Sequence, residues 1–325
     1  MTKQRKFCSI CELAKVISLI RLPSTYQCVA KKLCNIPSAT SIRDNVHLIS
    51  SVFCAGYQQD VSEFIIMLLH HFVECLPLHC SEPSIKDQRS NIIDQIFTIK
   101  LLSFGQCPLC FYTFENQEST NLLLVGIDNL YTLTDVLAHF VHREAINEYK
   151  CSSCNQYVKI DKRISINELP LVLMINFKRC TLSFDLTEKL EHLVSYEAFL
   201  DVSPYMSSNV SIRNNTIVDV KIPDDYHYTL FGVINHVGTD LNSGHYYAHV
   251  RSSDNVWVEI NDAHCRRIPE SEVLCNREAL ILFYVKSTYL KTHINAPANQ
   301  ENVQLITSTP TGNHVSRSSS LAAEV

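Results

Sequence analysis

Residues 228–262 read Y-T-L-F-G-V-I-N-H-V-G-T-D-L-N-S-G-H-Y-Y-A-H-V-R-S-S-D-N-V-W-V-E-I-N-D. The apolar run 228–234 has the pattern of a buried strand. A polar loop with Gly238, Asn242, Ser243 and Gly244 follows. His245 opens a second strand over 246–251, and 257–260 forms a third, with Asn261 and Asp262 at its exit. A histidine at the mouth of one strand and an Asn or Asp at the end of its neighbour can meet side by side. The Asn or Asp then accepts a hydrogen bond from one imidazole nitrogen and leaves the other free as a base. The same spacing also suits an ordinary loop histidine beside Gly and Tyr.

Composition narrows what such a base would serve. At 325 residues the chain can bury a sizeable core in one or two domains. A net charge of -5 with no block of like charge argues against a nucleic-acid surface. The first 23 residues carry Lys3, Arg5 and Lys6 but no clean apolar core of a signal peptide. The longest apolar runs, such as 169–175, are too short to cross a bilayer. Fourteen cysteines in that setting read as thiols and metal ligands of a reducing, nuclear or cytoplasmic compartment. Sequons at Asn209 and Asn214 then read as chance matches.

Two C-x-x-C knuckles, Cys107/Cys110 and Cys151/Cys154, have the spacing of a four-cysteine zinc ribbon. Four thiolates on one zinc ion contribute about 10–16 kcal/mol in small zinc domains, enough to hold a thin hairpin with little core. Between the knuckles the sequence predicts a strand over 122–127 and an amphipathic helix over 132–140. A third pair, Cys8/Cys11, opens an apolar-faced stretch over 8–21, read as a helix ended by Pro23. This pair fits either half a metal site or two ordinary thiols.

Elsewhere, Asp60 followed by Glu63 resembles a capping-box start, with a helical stripe at Phe64, Met67, Leu68 and His71. Residues 81–89 read as a polar connector, 96–102 as a loose strand, 164–166 as half-buried strand and 171–175 as fully buried strand. Residues 182–223 are mixed and polar. Residues 279–285 read as a closing buried strand, and from Lys286 the chain reads as a disordered tail.

These pieces resemble the ubiquitin-specific proteases, papain-like cysteine deubiquitinases. H-x-G at 236–238, G-H-Y at 244–246, Trp257 and the Asn261–Asp262 pair are similar to that family's histidine box. G-Y-Q-Q-D-x-x-E-F at 56–64 is similar to its glutamine box, and L-P-x-V-L-x-I-x-F-K-R at 169–179 to its core strand. The resemblance implies an α+β, papain-like fold with thumb, palm and zinc-ribbon fingers. It implies His245 as general base and Asn261 as orienter, with Asp262 the alternative. It implies Asp60 and Glu63 facing the arginine-rich tail of ubiquitin, with Tyr246 beside the substrate. Cys107, Cys110, Cys151 and Cys154 would hold a structural zinc, and the partners would be ubiquitin and ubiquitinated proteins. Asymmetric likenesses, C-x-x-C-E at 8–12 and D-V-S-P-Y-M-S at 201–207, resemble the SAGA-type subgroup and suggest a multiprotein complex.

The family's cysteine box, G-N-T-C-[YF]-x-N, has no counterpart in this sequence. The thumb is therefore expected short of its first helix, with the nucleophilic cysteine upstream of these residues. The alternative is an inactive pseudo-protease that binds ubiquitin. The expected layout is a catalytic domain over 1–285, with partial thumb 1–104, fingers 105–165 and palm 166–285, followed by the tail 286–325.

Overall fold

The structure, a computed structural model, describes residues 7–13, 42–54, 56–76, 86–183, 186–207, 226–238, 243–252, 254–262 and 264–293. In chain order come α1 (Val46–Ile49), α2 (Val61–Cys75), α3 (Lys86–Phe97), β1 (Ile99–Gln106), β2 (Thr113–Thr120) and β3 (Leu123–Gly126). Then follow α4 (Leu133–Phe140), β4 (Glu144–Lys150), β5 (Tyr157–Glu168), β6 (Val172–Lys178), β7 (Cys180–Ser183), β8 (Leu186–Lys189) and β9 (Phe199–Asp201). The chain continues through β10 (His227–Val237), β11 (His245–Arg251), β12 (Trp257–Asn261), β13 (His264–Ile268), α5 (Glu270–Leu274), β14 (Ala279–Lys286) and α6 (Ser287–His293).

The palm is an eight-stranded sheet ordered β13-β12-β11-β10-β14-β6-β3, with β9 also paired to β10. Its middle strands are long apolar runs, so both faces must be covered. One face packs on the main core, where Ile175, Tyr228, Leu230, Val233, Leu282 and Tyr284 are almost fully buried. The other face carries Met174, Leu280 and Ile281, and meets α2 through Ile65, Ile66, Leu69 and Phe72. Side-chain polar groups stitch the layers: Asn176 Nδ2 donates to Ser62 Oγ at 2.8 Å, tying β6 to the start of α2. Arg179 is buried, and no acidic side chain among the described residues pairs with it. It donates to Ala279 O (2.6 Å), Leu190 O (2.9 Å) and His192 O (3.1 Å), and burial lowers its pKa to about 10.

The fingers are a separate four-stranded antiparallel sheet, β2-β1-β5-β4. Their root is anchored in the main core by Ile99 and Ile166, and their tip has its own small core of Cys107, Cys151, Val158 and Ile160.

The sheet that carries the knuckles runs from Ile99 to Glu168. Several expected elements are corrected. The strand and helix between the knuckles lie elsewhere: β3 pairs in parallel with β6, and α4 buries Leu133, Val136 and Leu137 in the main core. Residues 86–97 are helical, so the helix takes over part of the expected connector and strand, and β1 starts only at Ile99. In α2 the face that meets the palm is Ile65, Ile66, Leu69 and Phe72 rather than the stripe read at Phe64, Met67, Leu68 and His71. Both sides of this helix are covered, because Phe64 packs on Phe53 and His71 on Phe7, so no single stripe marks the core. The chain beyond Lys286 continues as α6, tied by Thr229 Oγ1 to Ser287 Oγ at 2.7 Å. The rest of the expected tail, both sequons and most of the expected helix after Cys11 lie outside the described residues.

Candidate active site

The site is built where two loops meet above the palm. β10 and β11 pair antiparallel, with Val237 opposite His245 and His236 opposite Tyr246. Gly238 and Gly244 come into close contact at the ends of these two strands. A Cβ on Gly238 would lie 2.3 Å from Ser243 O, and one on Gly244 2.3 Å from His236 Nε2. The glycines of H-x-G and G-H-Y are therefore needed for space at the neck of this turn. His236, almost fully buried, stacks on Tyr246 with centroids 4.5 Å apart.

His245 leaves the neck with its ring 46% exposed. Its Nε2 lies 2.7 Å from Asn261 Oδ1 at the end of β12. An amide oxygen only accepts, so Nε2 carries the proton and the Nδ1 lone pair is left for another group. Asp262 Oδ2 stands farther off, at 3.9 Å, on a side chain 78% exposed. Of the two orienters left open by the sequence, Asn261 is the one within hydrogen-bond distance of His245, while Asp262 has a left-handed backbone (φ 51°) and its carboxylate stands farther off.

The glutamine box lies alongside. Asp60 caps α2, its Oδ1 accepting from Ser62 N (2.7 Å) and Glu63 N (3.0 Å). Such a cap stabilises a helix by about 1 kcal/mol. The second carboxylate oxygen takes neither of these bonds. Gln58, two residues earlier, bonds to the backbone of Gly244. Burial, and then the nearby Asp60 charge, raise the Tyr246 phenol pKa, which places these two residues in each other's field. Tyr246 is half-buried between His236 and the apolar layer around α2, so its ring packs the site from beneath.

At the finger tip the sulfurs of Cys107, Cys110, Cys151 and Cys154 all lie within 4.8 Å of one another. The Cys107–Cys154 and Cys110–Cys151 separations are 3.9 and 3.7 Å. Four sulfurs at about 2.3 Å around a tetrahedral zinc would sit about 3.8 Å apart, so the donor set fits that ion. The quartet is the one such group among the described residues. Cys8 and Cys11 belong to a different cluster, in which Cys11 N donates to Cys8 Sγ (3.5 Å) and Ser9 Oγ meets His71 Nδ1 (2.7 Å). Cys75 Sγ lies 3.5 Å from the same nitrogen, and burial followed by Cys8 raises its thiol pKa. No disulfide joins the cysteines among the described residues, and no described helix is long and apolar enough to cross a membrane.

Sequence reasoning missed two residues that shape this site. Gln58 was read only as part of a motif, although an amide beside a capping Asp is a usable signal. Lys189, whose Nζ donates to His236 O (3.0 Å) and Gly238 O (2.7 Å), sits in a stretch dismissed as polar.

The family model described as ubiquitin carboxyl-terminal hydrolase matches residues 2–284. A human protein named ubiquitin carboxyl-terminal hydrolase 27 is 31% identical over 271 residues, covering 71% of this chain and 60% of that protein. A fission-yeast protein named probable ubiquitin carboxyl-terminal hydrolase 16 is 31% identical over 278 residues, covering 83% of this chain and 56% of the relative. The chain thus spans little more than half the length of these curated relatives. A solved structure of the SAGA Ubp8/Sgf11/Sus1/Sgf73 DUB module bound to ubiquitin aldehyde superposes with a TM-score of 0.72 at 24% identity. That match covers 87% of this chain and 61% of the matched chain, and it establishes the shared papain-like fold. With a family match across nearly the whole described chain, this protein belongs to the ubiquitin carboxyl-terminal hydrolase family, the ubiquitin-specific cysteine proteases.

Proposed function

We propose that these residues form the base half of a thiol-dependent deubiquitinase that cleaves ubiquitin from protein conjugates. The 2.7 Å contact between His245 Nε2 and Asn261 Oδ1, beside the capped start of α2, carries this reading. His245 Nδ1 takes the proton of a cysteine thiol, and the thiolate attacks the carbonyl carbon of the terminal glycine of ubiquitin. Asn261 holds the ring so that its free nitrogen faces that sulfur, and the amide dipole favours the imidazolium formed. The ring then gives its proton to the leaving amine as the C–N bond breaks. In the second half it takes a proton from water, which opens the thioester and restores the thiol. The reaction needs a cysteine thiol at His245 Nδ1, and no G-N-T-C-[YF]-x-N stands in these 325 residues.

Asp60 and Glu63 meet the arginines of the ubiquitin tail, where carboxylate–guanidinium pairs select both charge and geometry. Zinc on Cys107, Cys110, Cys151 and Cys154 keeps the fingers extended against the body of ubiquitin. The likeness to a module containing Sgf11, Sus1 and Sgf73 supports work within a multiprotein assembly.

A second reading has its own observation. With no G-N-T-C-[YF]-x-N in the sequence, these residues alone make a ubiquitin-binding pseudo-protease. Ubiquitin bearing a C-terminal thiol-reactive vinyl group separates the two. Stoichiometric labelling of a protein carrying the cysteine box, abolished by His245→Ala, supports the hydrolase. Binding without labelling in that same protein supports the pseudo-protease.

A further inference from the structure

The histidine loop is gripped from outside at both of its feet. At the entry, Lys189 Nζ, from the end of the β7–β8 hairpin, donates to His236 O (3.0 Å) and Gly238 O (2.7 Å). At the exit, the Gln58 side chain pairs with Gly244 in both directions. Its Nε2 donates to Gly244 O (3.3 Å), and its Oε1 accepts from Gly244 N (3.0 Å). The paired bonds also fix which way this amide points, since one end must donate and the other accept.

These two side chains come from parts of the sequence far from the loop. Lys189 is itself set by the buried Arg179, because Leu190 N donates to Arg179 O (2.6 Å) and Arg179 Nη1 to Leu190 O (2.9 Å). Burial, with Arg179 adding to it, lowers the Lys189 pKa. A partly desolvated ammonium placed on two carbonyls is a costly arrangement unless those carbonyls need fixing. Gln58 belongs to the segment that leads into the Asp60 cap, so it couples the start of α2 to the residue just before His245.

What the grip can control follows from geometry. His245 is the first residue past the neck, and its bond to Asn261 joins β11 and β12 beyond the last pair of their ladder, Ala248 opposite Ile260. A backbone rotation at Gly244 of a few tens of degrees would swing the imidazole off Asn261 Oδ1. Glycine by itself gives little resistance to such a rotation. We infer that Gln58 and Lys189 are positioning residues: by fixing the backbone on either side of the loop, they hold His245 in the Nε2–H tautomer against Asn261. This rests on the reading of His245 as the base.

The test is imidazole NMR on the chain as given, with ¹⁵N-labelled histidine. In the parent, His245 should show a nearly pure Nε2–H pattern. In Gln58→Ala and Lys189→Met it should become a mixture of both tautomers, and Lys189→Arg should restore it. His249, on the same strand β11 but buried, should keep its parental pattern and so report an intact sheet. A parental His245 pattern in both Gln58→Ala and Lys189→Met would overturn the inference. Asn261→Ala separates this from the reading beneath it. If that variant leaves the tautomer unchanged, the base assignment itself fails. If it scrambles the tautomer while the two loop variants do not, only the inference fails. Should Gln58→Ala lose the His249 pattern, Gln58→Glu keeps the acceptor but not the donor. An intermediate mixture there supports the inference, and a parental pattern overturns it.

Discussion

The reading of His245 as a base rather than an ordinary loop histidine turns on one amide oxygen at 2.7 Å. With a cysteine box present, Asn261→Ala should lower kcat/KM on a ubiquitin C-terminal amide by roughly 10²-fold or more, the usual range for lost proton-transfer geometry. Asp262→Ala should leave it near the parental value, because its carboxylate is 3.9 Å away and faces water. The opposite order would make Asp262 the orienter. At Asp60 the cap and the proposed recognition role can be separated. Asp60→Asn keeps the cap, so the melting temperature should hold. Losing a charge-assisted bond of about 1.5–3 kcal/mol should raise the Kd for ubiquitin roughly tenfold to hundredfold. An unchanged Kd in a titration would remove Asp60 from the recognition surface. At this level the sequence was informative. The two glycines, His245 and Asn261 were visible as types at fixed offsets, while Gln58 and Lys189 were not, because their partners are backbone atoms that no side-chain pattern announces.

Strands and knuckles divide in the same way. β10, β11, β12 and β14 were legible because their alternation and apolar runs follow directly from a sheet covered on its inner face. The stretch 194–202 was missed although it alternates perfectly: Val194, Tyr196, Ala198, Leu200 and Val202 are buried, and the residues between them exposed. Phe199, exposed at 69%, broke the apparent period. β13, with Arg266 and Arg267, and the five-residue α5 were too short and too charged to stand out. In the fingers the tip core is four buried residues, two of them cysteine. Cys151→Ser should therefore abolish metal binding and release amide exchange in β2 and β4, while β10 and β14 stay protected. Unchanged protection in β2 would show that the sheet holds without the ion.

β11 also carries a pH response. Burial lowers the His249 pKa, although Glu259 Oε2, 3.5 Å away, pulls the other way. The side chain is packed with Tyr247 at its edge and lies in the field of Glu272 and Arg266. The folded state then binds fewer protons at this site than the unfolded chain. Its stability is complete above the ordinary histidine value near 6.5, and is lost as pH falls from there through the folded pKa. Glu259, held down mainly by Arg266, adds its own loss only below its ordinary value of 4.5. His249→Gln should flatten the melting-temperature profile between about pH 6.5 and 5, where the parent slopes. Equal slopes would mean the imidazole is not desolvated.

Across the molecule, one palm sheet joins the fingers and the start of α2 to the histidine loop. The capped start of α2 stands beside the histidine loop, and the fingers are rooted in the same core as β10 and β14. In the proposed function this layout would receive a folded partner with an extended, basic tail, the body against the fingers and the tail between Asp60 and His245. The motifs announced the papain-like fold, but not that the strand and helix between the knuckles belong to the palm and the main core. The insert between the two cysteine knuckles folds back into the palm, because β3 and α4 are too apolar to remain on a thin hairpin.

The most direct measurement is an NMR titration of this chain with ubiquitin and with ubiquitin lacking its C-terminal Arg-Gly-Gly. Intact ubiquitin should shift resonances of the fingers together with those of Asp60, Gly244 and His245, and the truncated form should bind more weakly and shift the fingers alone. Identical affinities and identical shifts for the two forms would contradict the account.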